Sequence, residues 1–221
     1  MRTAKIIFFD ATGTLIHIPR GVGFHYAGVA ARFGWNADAN SVGKAFRALW
    51  SEMPPPETTR QPKHDDDRGW WRELVFRVLD RCDAPTGFDR ERYFDAVYEE
   101  FRQPGVWDLF PETLEVLKAL APRYELAILS NFDRRLHSVL DQLGIRTHFR
   151  EVIISSEAGA DKPDPWIFEH ALARLGVAPH ETLLVGDDPE CDVAGAVRAG
   201  WHAFHLDRPR MTLRDLVLAL T

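Results

Sequence analysis

Four short stretches of this 221-residue sequence end in side chains that together could grip a phosphate and a divalent cation. The apolar run Ile6-Ile-Phe-Phe9 ends at Asp10. Ser130-Asn131 follows a second such run, Ser155 and then Lys162-Pro163 a third, and Gly186-Asp187-Asp188 a fourth. One carboxylate, one hydroxyl, one amine and an acidic pair form a suitable set only if they meet on one rim. Each also has a plainer use. Asp10 alone fits a strand-end carboxylate capping the turn at Gly13. Lys162 fits an ordinary surface lysine before a proline, Asp188 a solvated acid, and Asp192 an acid favouring the first turn of the helix that follows it.

The elements between these residues decide whether they meet. In an open parallel sheet, ligands bind at the carboxyl ends of the strands, where all four stretches would sit. Ile6–Phe9 is short, continuously apolar and rich in branched and aromatic residues, the pattern of a strand buried on both faces. From about Val22 to Arg102 the spacing becomes helical. Val42, Ala45, Phe46, Leu49 and Trp50 make one apolar stripe, and Trp71, Leu74, Val75, Val78, Leu79 and Cys82 a second. Phe94, Val97, Tyr98 and Phe101 make a third, Phe24 to Phe33 a fourth ending at Gly34, and Met53-Pro-Pro-Pro56 breaks the chain between two of them. Four packed helices are predicted there. After Pro104-Gly105 the pattern alternates strand with helix. Strands are predicted at 124–129, 151–154, 182–185 and 201–205, with helices at 133–143, 165–175 and 190–199 that stop at Gly144, Gly176 and Gly200. The simplest assembly is α/β: a Rossmann-like parallel sheet core with helices on both faces, formed by 1–15 and 105–221, plus an inserted all-helical domain at 16–104.

Composition narrows the function classes. Apolar residues at 45% can fill a core, and a net charge of −6 without a basic block argues against nucleic acid as a partner. Cys82 and Cys191 form no Cys-x-x-Cys pair, which argues against zinc or a disulfide framework and fits inert thiols in reduced cytosol. No segment is long and uncharged enough for a signal peptide or a membrane span, so a cytoplasmic protein acting on a small molecule is expected. No pattern in the sequence specifies an oligomeric state.

Asp10-Ala-Thr-Gly-Thr-Leu15, Ser130-Asn131, Lys162-Pro163 and Gly186-Asp-Asp-Pro-Glu-Cys-Asp192-Val-Ala-Gly-Ala196 resemble, in order, the four motifs of the haloacid dehalogenase (HAD) superfamily. The helical block sits where that superfamily inserts a helical cap that closes over the site and helps select substrate. The resemblance implies a Mg2+-dependent hydrolase, a phosphatase in which Asp10 attacks phosphorus to give an aspartyl-phosphate. A carboxylate needs no base for this, since it is ionised at neutral pH. By the same resemblance, Mg2+ is held by the Asp10 carboxylate, the Thr12 carbonyl and Asp187, and Asp192 and Asp188 either bind the ion or anchor the residues that do. Lys162 neutralises the phosphoryl oxygens, and Ser130 and the Asn131 amide complete the phosphate cradle.

The sequence departs from the family's phosphatases at Thr12, where they carry a second Asp that protonates the leaving oxygen and later activates water. A hydroxyl does neither well, and such help is typically worth ~10²–10⁴ in rate. The family's phosphoryl-transferring ATPases also carry Thr there, so Thr12 fits a long-lived intermediate as well as a lost activity. Two alternatives therefore stand beside the phosphatase: a catalytically weakened phosphate-binding or regulatory protein, and, against the acidic pair, a haloacid dehalogenase. His17, just downstream, is a candidate substitute proton carrier or a packing residue. Ser155 and Ser156 read as turn residues, Trp70-Trp71 as helical core with Trp70 on the adjoining face, and Asp65-Asp66-Asp67 as a solvated charged loop.

Overall fold

The computed structural model describes residues 4–220. Their contacts divide them into two compact units, one comprising 4–17, 57–66 and 108–220 and the other 18–56 and 67–107. The sequence pattern runs the insertion without a break from 16 to 104, whereas in the structure 57–66 belongs to the unit that holds the sheet.

Five parallel strands form the sheet of the first unit: β1 (Ile6–Phe9), β4 (Glu125–Ser130), β5 (Glu151–Ile154), β6 (Thr182–Gly186) and β7 (His202–His205), in the order β5-β4-β1-β6-β7. Strand β1 is central, with Phe9 opposite Ile128 of β4 and Val185 of β6. Its four residues are completely buried, which explains the unbroken apolar run: both faces of a central parallel strand are covered. Ile6 and Phe8 pack with Leu129, Leu184, Phe168 and Trp201 on one face. Phe8 lies 4.7 Å from the Trp201 ring. On the alternate positions Phe9 meets Phe149 edge-on at 6.5 Å. The expected α/β architecture with its parallel sheet is the one observed.

Several elements went unrecognised in the sequence. A two-residue ladder pairs β2 (Ile16–His17) with β3 (Asp108–Leu109), antiparallel. Helices α5 (Thr113–Leu120) and α10 (Leu213–Leu220) pack against each other, each through an apolar stripe such as Val116, Leu117 and Leu120. Ser155 and Ser156 are buried and open a short helix, α7 (Ser155–Ala158), in place of a turn. The helix expected at 190–199 begins as a π-helical turn, Pro189–Ala194, before α9 (Gly195–Arg198). Helices α6 (Arg135–Gln142) and α8 (Pro165–Leu175) lie where the periodicity places them, and Asp164 caps α8 by accepting from Trp166 N at 2.9 Å.

The second unit holds α1 (Val22–Arg32), α2 (Ala39–Glu52), α3 (Arg68–Arg81) and α4 (Arg90–Glu100). Contacts run α1 to α2, α2 to α3, α3 to α4 and α4 to α1, so each helix buries its stripe against two neighbours. Tyr93 is fully buried, its hydroxyl donating to Tyr26 O at 3.0 Å. Trp70 is spent within this unit: its indole donates to Pro54 O at 2.8 Å and its ring meets Trp50 and Trp71. No helix among the described residues is long and apolar enough to cross a membrane.

Candidate active site

Three neighbouring strands deliver the reactive groups. Asp10 follows β1 and continues its ladder, its N–H donating to Val185 O at 2.9 Å. Ser130 ends β4 on one side of it, and Gly186-Asp187 leaves β6 on the other. Because the strands are parallel and in register, all three main chains leave the sheet at the same edge.

Lys162 ties the groups together. Its ammonium donates to Asp10 Oδ1 at 2.8 Å, Asp192 Oδ1 at 2.6 Å and Leu129 O at 2.8 Å, which uses all three of its protons. Ser130 Oγ donates to the same Asp10 oxygen at 2.9 Å. Among the described residues, Asp10 Oδ2 accepts no hydrogen bond. Lys162 is held in turn by Asn131, whose side chain accepts from Lys162 N at 2.6 Å and donates to Lys162 O at 2.8 Å. Both polar atoms of the Asn131 side chain are thus committed to the lysine's main chain.

Carboxylate oxygens of Asp10, Asp187 and Asp192 lie within 4.8 Å of one another. Two glycines make this crowding possible. A Cβ on Gly13 would sit 2.4 Å from an Asp187 carboxylate oxygen, and one on Gly186 would sit 2.1 Å from Asp192 Oδ2. Thr14 Oγ1 approaches Asp187 Oδ1 at 3.3 Å, and Asp188 N donates to Asp192 Oδ2 at 3.1 Å.

Charge in this site is unbalanced. Asp10 is 8% exposed, Asp192 2% and Lys162 3%, and one ammonium faces three carboxylates. Burial pushes the Asp10 carboxyl up to about 7 against the pull of Lys162, with Asp192 and Asp187 adding to the rise. Asp187 is raised as well, by burial and then by Asp192. Burial works to lower the Lys162 ammonium, but the Asp10 and Asp192 carboxylates outweigh it and hold it above its ordinary range. Clustered, largely buried oxygens with an excess of negative charge suit a hard divalent cation such as Mg2+, so the residues present fit the ion that the sequence implies.

Other candidate residues are placed differently. Asp188 is exposed and its Oδ1 accepts from Glu190 N at 2.8 Å and Cys191 N at 2.7 Å, so it caps the π-helical turn and stands outside the acidic cluster. Thr12 is exposed in the turn after Asp10. His17 stacks on Phe110 with ring centroids 4.6 Å apart, which accounts for it as packing. Asp66 is half-buried and accepts from Arg134 N at 3.0 Å, so the acidic triplet is not simply a solvated loop. Cys82 and Cys191 are free thiols, and burial pushes the Cys191 thiol up to about 12, where it is inert. The Asn131 clamp on Lys162 was missed in the sequence, since a side chain bonding to main chain 31 residues away leaves no local pattern.

Residues 4–200 match the family model of the haloacid dehalogenase-like hydrolases. The chain is 34% identical over 206 residues to haloacid dehalogenase-like hydrolase domain-containing protein 3 of Mus musculus, covering 90% of this chain and 80% of that protein. It is 36% identical over 173 residues to the phosphoserine phosphatase of Thermus thermophilus, covering 77% of this chain and 67% of that one. Among solved structures, the L-2-haloacid dehalogenase of Xanthobacter autotrophicus is similar in fold, with a TM-score of 0.68 at 23% identity over 98% of this chain and 82% of that chain. Relatives of one fold thus bear the names of two chemistries, and fold alone does not choose between them. On the match across nearly its whole length, the chain belongs to the haloacid dehalogenase-like hydrolases.

Proposed function

We infer that this hydrolase cleaves phosphate esters through Asp10, with Mg2+ as its cofactor and small phosphorylated molecules as its substrates. The observation that carries the reading is the meeting of Asp10 with Lys162 on one side and with Asp187 and Asp192 on the other. Lys162 and Ser130 hold Asp10 Oδ1, which fixes the carboxylate and presents Oδ2 to an incoming phosphorus. In the first step Oδ2 bonds to phosphorus as the bond to the leaving oxygen breaks. In the second, water attacks the phospho-aspartate, releases inorganic phosphate and regenerates the carboxylate. The Lys162 charge neutralises the phosphoryl oxygens, the main-chain N–H of Asn131 donates to them, and Lys162 and Ser130 turn a proton from Asp10 Oδ1 toward them as substrate enters. When bound, Mg2+ offsets the repulsion between carboxylate and phosphate. Asp10, Asp187 and the Thr12 carbonyl would hold it, with Asp192 as a further ligand or as the anchor that keeps Lys162 in place.

Thr12 sets the expected style of turnover. It offers no group that exchanges protons near neutrality, so substrates whose leaving group departs without protonation, such as acyl and aryl phosphates, are favoured. The lack of a proton-exchanging group at Thr12 also supports a second reading, in which the phosphate and metal site serves binding or regulation and turnover is slow. Dehalogenation is disfavoured by the acidic cluster, which repels a haloacid's own carboxylate and is not needed for attack on carbon. The test is a panel of phosphorylated metabolites assayed with and without Mg2+, with Asp10→Asn as control. Mg2+-dependent phosphate release that Asp10→Asn abolishes supports the reading. Release that is insensitive to both refutes it.

A further inference from the structure

We propose that residues 57–66 act as a strap that positions Lys162, with Lys63 as its positioning residue. This rests on the reading of Lys162 as a phosphate-binding group. In sequence the strap runs between α2 and α3, yet it packs in the sheet unit. It is bound there largely through main chain. Thr59 N and Arg60 N both donate to Gly159 O, at 2.8 and 3.0 Å, and Lys63 N donates to Ser156 O at 2.7 Å. At its two ends Thr58 Oγ1 reaches Asp164 Oδ2 at 3.3 Å, and Asp66 accepts from Arg134 N at 3.0 Å. The strap therefore grips the stretch 156–164, which contains Lys162, and also the turn after β4 that contains Asn131.

Two features point to a built seat rather than a loop resting on a surface. Gly159 has φ +79°, and a Cβ there would lie 2.2 Å from Gln61 O and 2.3 Å from Gln61 N. The chain at Gly159 is shaped so that the strap's main chain can pass against it. Lys63 is 6% exposed, and its ammonium lies 3.4 Å from Asp161 Oδ2. Desolvating a lysine and an acid is costly, and the pair holds only if both partners stay. Asp161 directly precedes Lys162, so the strap's buried charge fixes one neighbour of the peptide that Asn131 clamps. A displacement of about 1 Å at such a group costs on the order of 10²-fold in activity.

The test uses the full chain and three variants, Lys63→Met, Lys63→Arg and Gly159→Ala. The first readout is amide hydrogen exchange across 155–162, and the second is the affinity for inorganic phosphate in the presence of Mg2+, which requires no turnover. In Lys63→Met and Gly159→Ala, exchange in that stretch accelerates at least tenfold and phosphate binds at least tenfold more weakly, while Lys63→Arg stays within a few-fold of the parent. Gly159→Ala keeps the test decisive should Lys63→Met fail to fold. Phosphate affinity unchanged in variants whose 155–162 amides exchange faster overturns the proposal, as does unchanged exchange. A parent protein that binds no phosphate overturns instead the reading on which the proposal rests.

Discussion

Replacing Lys162 by Met removes the cation shared by Asp10 and Asp192. The side chains of Lys162 and Asp192 are each 2% exposed and that of Asp10 is 11% exposed, so water cannot take over the lysine's role. Breaking a buried pair by deleting one partner typically costs about 3–5 kcal/mol. For a chain of this size each kcal/mol moves the thermal midpoint by roughly 2–4 °C, so a fall of roughly 6–20 °C is expected at about pH 8. The pH dependence carries the sharper test. Asp10 already sits at about 7 with the ammonium beside it, far above its ordinary value of 3.8, and without the ammonium it rises further. A raised carboxyl binds a proton in the folded state that the unfolded chain has lost, so stability declines as pH rises from the unfolded value through the folded one. The deficit of Lys162→Met relative to the parent should therefore shrink as pH falls from about 8 to about 5. Added Mg2+ should raise the variant's own stability at about pH 8, by about 2.7 kcal/mol when its concentration is 100 times the variant's dissociation constant. Thermal unfolding followed by circular dichroism at several pH values, with and without Mg2+, measures all of this. A deficit equal at both pH extremes, or no deficit at all, would refute the electrostatic account of the site.

A matched pair of substrates tests the role of Thr12: an aryl phosphate should turn over far faster than an alkyl phosphate of similar size, and equal rates would count against the leaving-group argument. Thr12→Asp should raise turnover of alkyl phosphates, with ~10²–10⁴ as the ceiling for restored acid–base help; a lower rate at intact Mg2+ affinity would give Thr12 a task of its own. Apparent Mg2+ affinity, measured by calorimetry, should weaken by up to about tenfold per pH unit below about 7 as protons compete for Asp10, and Asp10→Asn should flatten that slope. Gly186→Ala should weaken Mg2+ binding because its methyl would occupy the place of the Asp192 carboxylate; a variant that binds normally would show that Asp192 moves without consequence.

Legibility varied with how each feature is encoded. Ile6–Phe9 was readable because burial on both faces leaves an unbroken apolar run, and α1 to α4 because each buries one stripe. The convergence of Asp10, Ser130, Lys162 and Asp187 followed from their placement after parallel strands, a rule of topology that a sequence can express. Helix α5 carries its signal in Val116, Leu117 and Leu120, but over 8 residues the stripe spans only about two turns. The two-residue pairing of Ile16–His17 with Asp108–Leu109 is too short to leave any periodicity. The strap is the clearest case of the opposite kind. Thr-Thr-Arg-Gln-Pro-Lys-His-Asp carries no apolar periodicity, yet it is anchored by N–H groups that every residue type but proline supplies, and side-chain patterns carry no trace of them.

Asp10 hangs from the strand at the middle of the sheet, with paired backbone on both sides of it. Amides in such a position are among the last to open, at free energies approaching that of global unfolding. Asp10 therefore has no route to fraying on its own. In rising denaturant the ability to bind a transition-state mimic such as vanadate should vanish together with the sheet's circular dichroism signal, in one transition.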